Sequence, residues 1–223
     1  MRRGLFITLE GPEGSGKSTQ TRLLCDFLRR KGLHVVHTRE PGGTSIAEAV
    51  RRILLHPSSR IAPMTELLLY EAARAQHIAE IIRPALCHGA VVVCERFTDA
   101  TEAYQGWGRG LDREEIRALN RIATGDLRPQ LTLLLDVPVR EGLARARSLD
   151  KELSVRARRT RGGDRLERES LAFHRRVQKG YRSLARKEPK RFRLIRWEDG
   201  IENVHARLIR EVVSFLKKRG VRV

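Results

Sequence analysis

The chain has 223 residues, 40% of them hydrophobic, which is enough for one real core and makes a single domain the default. Charged residues make up 32% and the formal net charge is +18, so the expected partner is an anion such as nucleic acid, phosphate or a membrane surface. Cys25, Cys87 and Cys94 lack metal-ligand spacing; they exclude a disulfide scaffold and read as reduced core residues of a cytosolic, cytoplasmic protein.

In chain order, the N-terminus opens with arginines as a signal peptide does, but its apolar run is too short and stops at Glu10. No stretch approaches a membrane span, so no membrane partner is expected. Leu5–Leu9 suits a buried strand. Leu23, Leu24, Phe27 and Leu28 then mark one helical face, with Arg22, Asp26, Arg29 and Arg30 opposite and Gly32 as a stop. Leu33–Thr38 reads as a second strand, Ile46–Leu55 as a helix, and about Pro63 to Cys87 as a longer one. Ala90–Cys94 and Leu131–Leu135 are continuous apolar runs, the signature of strands buried on both faces of a parallel sheet. Arg191–Arg196 is a poorer strand that suits an edge, and Ile201–Lys218 closes the chain as an amphipathic helix.

Strands alternating with helices imply βαβ units and an α/β fold with a five-stranded parallel sheet flanked by helices. Three strands run into an acid, Glu10, Glu95 and Asp136. Ligands of such sheets bind beyond the carboxyl edge, so the loops after Glu10 and Glu95 are the places to look for chemistry. Residues 139–193 hold 19 Lys/Arg against 7 Asp/Glu, a net +12 of the +18. Their centre, Arg156 to Gly163, has almost nothing apolar to bury and reads as a mobile basic loop between two helices.

Gly11-Pro12-Glu13-Gly14-Ser15-Gly16-Lys17-Ser18, followed by Thr19, fits the pattern of a phosphate-binding P-loop. Glycines let the backbone aim successive N–H groups at phosphate oxygens, and the following helix adds its positive end. Lys17 then reaches the β- and γ-phosphates of ATP and Ser18 offers a hydroxyl to Mg²⁺. A chain this long matches by accident on the order of one time in a hundred. Alone, the motif does not separate a small-molecule kinase from an ATPase that works on nucleic acid.

Four further segments stand in a familiar order: Thr38-Arg-Glu-Pro-Gly-Gly-Thr44, Ala72-Ala-Arg-Ala-Gln-His77, Glu95-Arg-Phe97 with Ala103-Tyr-Gln-Gly106, and Asp164-Arg-Leu-Glu167. With the P-loop they resemble the thymidylate kinases of bacterial type, P-loop nucleoside monophosphate kinases that move the γ-phosphoryl group of MgATP onto dTMP. The resemblance implies a P-loop NTPase fold, ATP and dTMP as partners with nucleic acid not required, Mg²⁺ as cofactor, and a homodimer. A kinase for another nucleoside monophosphate and a nucleic-acid-stimulated P-loop ATPase are the competing readings.

Residue by residue, the resemblance implies that an aromatic at Tyr70 stacks on thymine and Arg74 hydrogen-bonds it. The two are four apart on a predicted helix and share a face; a core tyrosine and a solvated arginine would give the same pattern. Arg39, Arg51 and Arg96 are candidate phosphate clamps, because guanidinium forks match phosphate oxygens. Glu13, an acid inside an anion-binding loop, would turn to the acceptor and accept from the sugar 3′-hydroxyl. Thr101, Tyr104 and Gln105 would line the nucleoside pocket, with Tyr104 opposing a ribose 2′-hydroxyl. The basic stretch implies a lid over about residues 147–164 that brings a catalytic arginine to Lys17 and Arg96, with Arg158 and Arg161 as candidates beside Arg147 and Arg159.

The sequence departs from the family pattern at three single residues, and its lid, from Arg147 to Asp164, is longer than the usual bacterial one. Glu95 replaces an Asp that the family sets near the Mg²⁺ water shell, so the resemblance implies metal support through water for Glu95. Ala100 replaces a small hydroxyl residue. Trp107 replaces a glycine and is expected at the pocket mouth or a subunit contact.

Overall fold

The run from Val91 to Cys94 has no polar face, and its place in the fold requires none. The computed structural model, which describes residues 4–157, 164–197 and 200–221, sets it as β3 (Val91–Glu95) between β1 (Leu5–Glu10) and β2 (Val35–Arg39). On the other side of β1 come β4 (Leu131–Asp136) and then β5 (Phe192–Arg196). All pairs are parallel and the order is β2-β3-β1-β4-β5, with β5 at an edge as its weak pattern suggests.

Alternation along each strand divides the core. Ile7, Leu9, Val91, Val93, Leu131, Leu133 and Leu135 face α1 (Lys17–Arg30) and α9 (Ile201–Lys218), which contribute Leu24, Cys25, Leu28, Val204, Leu208, Val212 and Leu216. The opposite face buries Phe6, Val92, Cys94 and Leu134 under the remaining helices. Burying one such aliphatic side chain contributes about 1.5–3 kcal/mol, so this two-sided core fixes the sheet and its carboxyl edge.

The helix α2 (Ser45–Leu55) begins where Thr44 accepts from the backbone N–H of Ala47. The expected single helix from Pro63 to Cys87 is continuous but not uniform. It runs as α3 (Pro63–His77), a π-helical segment (Ile78–Ile82) and α4 (Arg83–Cys87). Pro84 has no N–H for the carbonyl four residues back, and the widened turn precedes it. A short α5 (Thr98–Thr101) leads into a second π-helical segment (Glu102–Gly108), which carries Tyr104 and Gln105.

One long helix was not expected from the sequence, and another was expected only as the helix that follows the basic loop. Asp112 caps the first, α6 (Arg113–Thr124), through the N–H groups of Glu114 and Glu115. Ser170 caps the second, α8 (Leu171–Lys187), which buries Phe173, Val177, Tyr181 and Leu184. At Gly180 a Cβ would stand 2.7 Å from the Trp107 ring. Trp107 therefore packs under α8, between Arg113 and Lys179, and is not a wall of the pocket mouth.

The basic stretch needs correction. The helix α7 (Val139–Ala157) includes the start of the expected lid, and Arg156 and Ala157 are helical rather than loop. Leu, Ala, Arg, Lys and Glu are good helix formers, so charge alone does not predict a loop. Arg158, Arg159 and Arg161 lie outside the described residues. Among the described residues no helix is long and apolar enough to cross a membrane.

Candidate active site

The loop between β1 and α1 is built on backbone conformations that side chains resist. Gly14 has φ 64°, and a Cβ there would come within 1.8 Å of the Gly142 carbonyl oxygen at the start of α7. That contact admits only glycine. Helix α1 follows with no acidic residue in its first turn, leaving its N-terminal N–H groups suited to an anion.

Lys17 lies across this loop. Its Nζ donates to the carbonyls of Gly11 (3.0 Å) and Pro12 (2.8 Å) and to Ser15 Oγ (3.2 Å). Burial, reinforced by the Arg96 charge, brings the ammonium down to about 8 against the pull of Glu13, Glu10 and Glu95. Ser18 Oγ donates to Glu95 Oε2 at 2.7 Å, and a His37 ring nitrogen lies 3.2 Å from Oε1. Burial acts to raise the Glu95 carboxyl, but the hydrogen bonds from His37 and Ser18 and nearby positive charge bring it below its ordinary value. The longer arm of Glu95 therefore reaches the P-loop hydroxyl.

A hydroxyl and an ionised carboxylate beside a phosphate cradle make an oxygen donor pair. They fit Mg²⁺, which takes one or two protein oxygens and completes its shell with water and phosphate.

Arg96 follows β3 with φ 66°, left-handed for a residue with a Cβ. Its backbone N–H is held by the Leu9 carbonyl (3.0 Å). The next N–H, of Phe97, is held by the buried Glu10 carboxyl group (2.7 Å), which also accepts from Tyr181 Oη (2.9 Å). Burial and the neighbouring Asp99 push Glu10 up to about 8.

The turn sends the Arg96 guanidinium back over the P-loop. Nη2 donates to Glu13 Oε1 at 2.6 Å, Nη1 faces the Gly11 carbonyl (3.3 Å) and Tyr181 Oη (3.4 Å), and the group lies 4.9 Å from the Tyr104 ring centre. Tyr104 Oη donates to the same Glu13 oxygen at 2.8 Å. Burial opposes ionisation of Glu13, but Arg96, Lys17 and the Tyr104 hydroxyl outweigh it and hold the carboxyl at about 2. Glu13 thus faces inward, not solvent.

These groups form one side of a cavity of about 570 Å³, within the usual range for a small-molecule site. Glu13, Gly14, Ser15, Gly16, Lys17, Ser18 and Thr19 line it, as do Arg39, Arg51, Tyr70, Arg74, Glu95, Arg96, Thr101, Tyr104 and Gln105. Gly11 and Pro12 act from behind, through the carbonyls that hold Lys17.

The far wall is more committed than the sequence suggests. Arg74 is buried, with Nε on Glu40 (2.8 Å), Nη1 on Glu71 (2.8 Å) and Asn120 (2.9 Å), and Nη2 on Thr101 Oγ1 (2.9 Å). It is no solvated arginine; one Nη2 hydrogen is left for a ligand. Arg51 donates to the Pro41 carbonyl (2.8 Å). Arg39, with its side chain 52% exposed, pairs with Glu48 (3.0 Å) at the rim.

Sequence reasoning missed Glu10, Tyr181, Glu40 and Glu66. Glu10 was noted only as a strand end, and the partners of the others are too distant in sequence for spacing to reveal them.

Comparison with known proteins agrees with this geometry. The sequence model of the family described as Thymidylate kinase matches residues 9–208. A thymidylate kinase of Geobacter sulfurreducens is 55% identical over 200 residues, covering 89% of this chain and 92% of that protein. One of Pseudomonas putida is 56% identical over 192 residues, covering 86% and 87%. The crystal structure of thymidylate kinase from Ehrlichia chaffeensis matches with a TM-score of 0.74 at 33% identity, covering 94% of this chain and 98% of that one. With a P-loop facing an arginine-lined pocket across one sheet edge, and with relatives this similar over nearly its whole length, the chain belongs to the thymidylate kinase family.

Proposed function

We propose that this protein transfers the γ-phosphoryl group of ATP to dTMP, giving dTDP and ADP, with residues 1–223 acting as a single kinase domain. The observation that carries the reading is the Arg96–Glu13 pair at 2.6 Å, set between the phosphate cradle and the nucleoside pocket. An arginine fixed there can bridge the acceptor phosphate and the group in transit.

ATP lies with its phosphates along Gly11 to Thr19, and Lys17 exchanges its loop carbonyls for phosphate oxygens. The dTMP base lies against Tyr70 with its carbonyl toward the spare Nη2 hydrogen of Arg74. Arg39 and Arg51 offer donors to the monophosphate. Glu13, ionised at neutral pH, accepts from the sugar 3′-hydroxyl. Tyr104 is tied to the same carboxylate, and its ring leaves little room for a 2′-hydroxyl.

The acceptor is a phosphate oxygen already ionised at neutral pH, so no strong general base is required. Catalysis is alignment together with neutralisation of the charge spread over the transferred group, by Lys17, Arg96 and a lid arginine, Arg158 or Arg161. Ser18, with Glu95 acting through water, would hold Mg²⁺, whose chemistry there is neutralisation of phosphate charge.

A homodimer is supported by exposed Ile46, Ile53, Met64, Leu68 and Ile122 on α2, α3 and α6, which pack side by side. A cytoplasmic location accords with the role of such a kinase. The test is ADP release in the presence of dTMP, dUMP, UMP, CMP or AMP. Turnover with dTMP well above the ribonucleotides supports the reading, and greater activity on UMP or CMP overturns it.

A further inference from the structure

A second buried carboxylate stands behind the nucleoside pocket. Glu66, on α3, is fully buried. Arg109 meets it with two donors, Nε to Oε1 at 3.1 Å and Nη2 to Oε2 at 3.0 Å, and Arg165 Nη2 lies 2.5 Å from Oε2. Burial acts to raise its carboxyl, but Arg109, Gln105 and Arg165 together bring it below the ordinary range. An ionised carboxylate only accepts hydrogen bonds.

The fourth contact of Glu66 is Gln105. The Gln105 amide has one donor end and one acceptor end, and its neighbours decide which way it faces. Here Nε2 donates to Glu66 Oε1 at 2.7 Å. Among the described residues the Gln105 amide is bonded through Nε2 alone, and Gln105 borders the cavity. Arg74, on the same wall, offers its spare N–H.

We propose that Glu66 is a positioning residue that fixes the Gln105 amide with its carbonyl toward the base, so that the pocket reads a base edge carrying N–H beside C=O. This deepens the proposed function and rests on it. Thymine and uracil present N3–H next to the 4-carbonyl, matching a glutamine acceptor beside an arginine donor. Cytosine presents a bare N3 next to an amino group, which meets acceptor with acceptor at Gln105 and donor with donor at Arg74. Without an acceptor-only partner at position 66, the amide can turn over and present its NH₂ to the base.

The test compares kcat/KM for dTMP and dCMP in the wild type and in Glu66→Gln. The wild-type preference for dTMP should fall by at least about tenfold, the scale of one hydrogen bond gained or lost in a buried site, with the dTMP loss in KM rather than kcat. Arg109→Met serves as control: Arg165 still holds Glu66 ionised, so stability falls while the preference stays. If Glu66→Gln does not fold, the double variant Glu66→Gln/Arg165→Met takes its place in the comparison: it removes the cation that loses its carboxylate, while Arg109 keeps its pair with Glu169. A folded variant with the wild-type preference overturns the proposal for Glu66 alone. A wild-type protein that ignores dTMP overturns the function on which it rests.

Discussion

Arg96 makes opposing demands on backbone and side chain, and two substitutions separate them. Its φ of 66° places a Cβ in the left-handed region, where an L-residue carries roughly 1–2 kcal/mol of strain. In most positions Ala is more stable than Gly by about 0.5–1 kcal/mol. Here the order should invert. Arg96→Ala and Arg96→Gly lose the same contacts, to Glu13, Gly11, Tyr181 and the Tyr104 ring, but only Ala keeps the strain. Arg96→Gly should be the more stable by about 1 kcal/mol, or about 2–4 °C in Tm for a chain of this size. Both should lose at least about a hundredfold in kcat at saturating ATP and dTMP, the scale of removing one preorganised donor. Calorimetry and ADP release read the two effects separately. An alanine variant that melts at or above the glycine variant refutes the strain argument. Turnover within about tenfold of wild type in either refutes the placement of Arg96 at the transferred group.

Acid stability should carry the mark of Glu13. Its carboxyl falls from 4.5 to about 2 on folding, so its contribution is fully present above about pH 4.5 and is lost as pH falls toward 2. It amounts to at most roughly 3 kcal/mol, and Glu13→Gln should flatten the pH dependence of unfolding in that window; an unchanged slope contradicts the pairing with Arg96. Glu95→Ala should raise the Mg²⁺ concentration for half-maximal rate by at least about tenfold, with ATP affinity in a chelator unchanged; an unaltered Mg²⁺ requirement removes Glu95 from the metal site. Gly14→Ala drives a Cβ into the Gly142 carbonyl, so the KM for ATP should rise more than about tenfold while dTMP binding by calorimetry changes little; a normal ATP KM would mean that the loop yields at no cost.

The strands β1, β3 and β4 were legible because each is a continuous apolar run that ends in an acid, and all five formed within two residues of their expected places. Their spatial order was not, since βαβ patterning gives no neighbour list. The π-helical segments were hidden for a related reason: the widened turn at Glu102–Gly108 leaves no mark in hydrophobic spacing. Helix α8 carries a clear core stripe, Phe173, Val177, Tyr181 and Leu184, that the excess of arginine masked. In the site, the P-loop was readable because local backbone chemistry dictates it. Arg74 was named as a site residue by resemblance, but the network that buries it was not legible, because its ion-pair partner Glu40 lies 34 positions away in sequence. Glu66 carries no local signal in the sequence; only the fold brings Gln105, Arg109 and Arg165 onto it.

The most direct measurement follows the fate of the label from γ-labelled ATP given to the purified protein with dTMP, with and without added polynucleotide. Phosphoryl transfer across the Arg96–Glu13 pair requires the label in dTDP, at one equivalent per ADP formed and at the same rate whether or not polynucleotide is present. Label released only as inorganic phosphate, and only when polynucleotide is added, would contradict it.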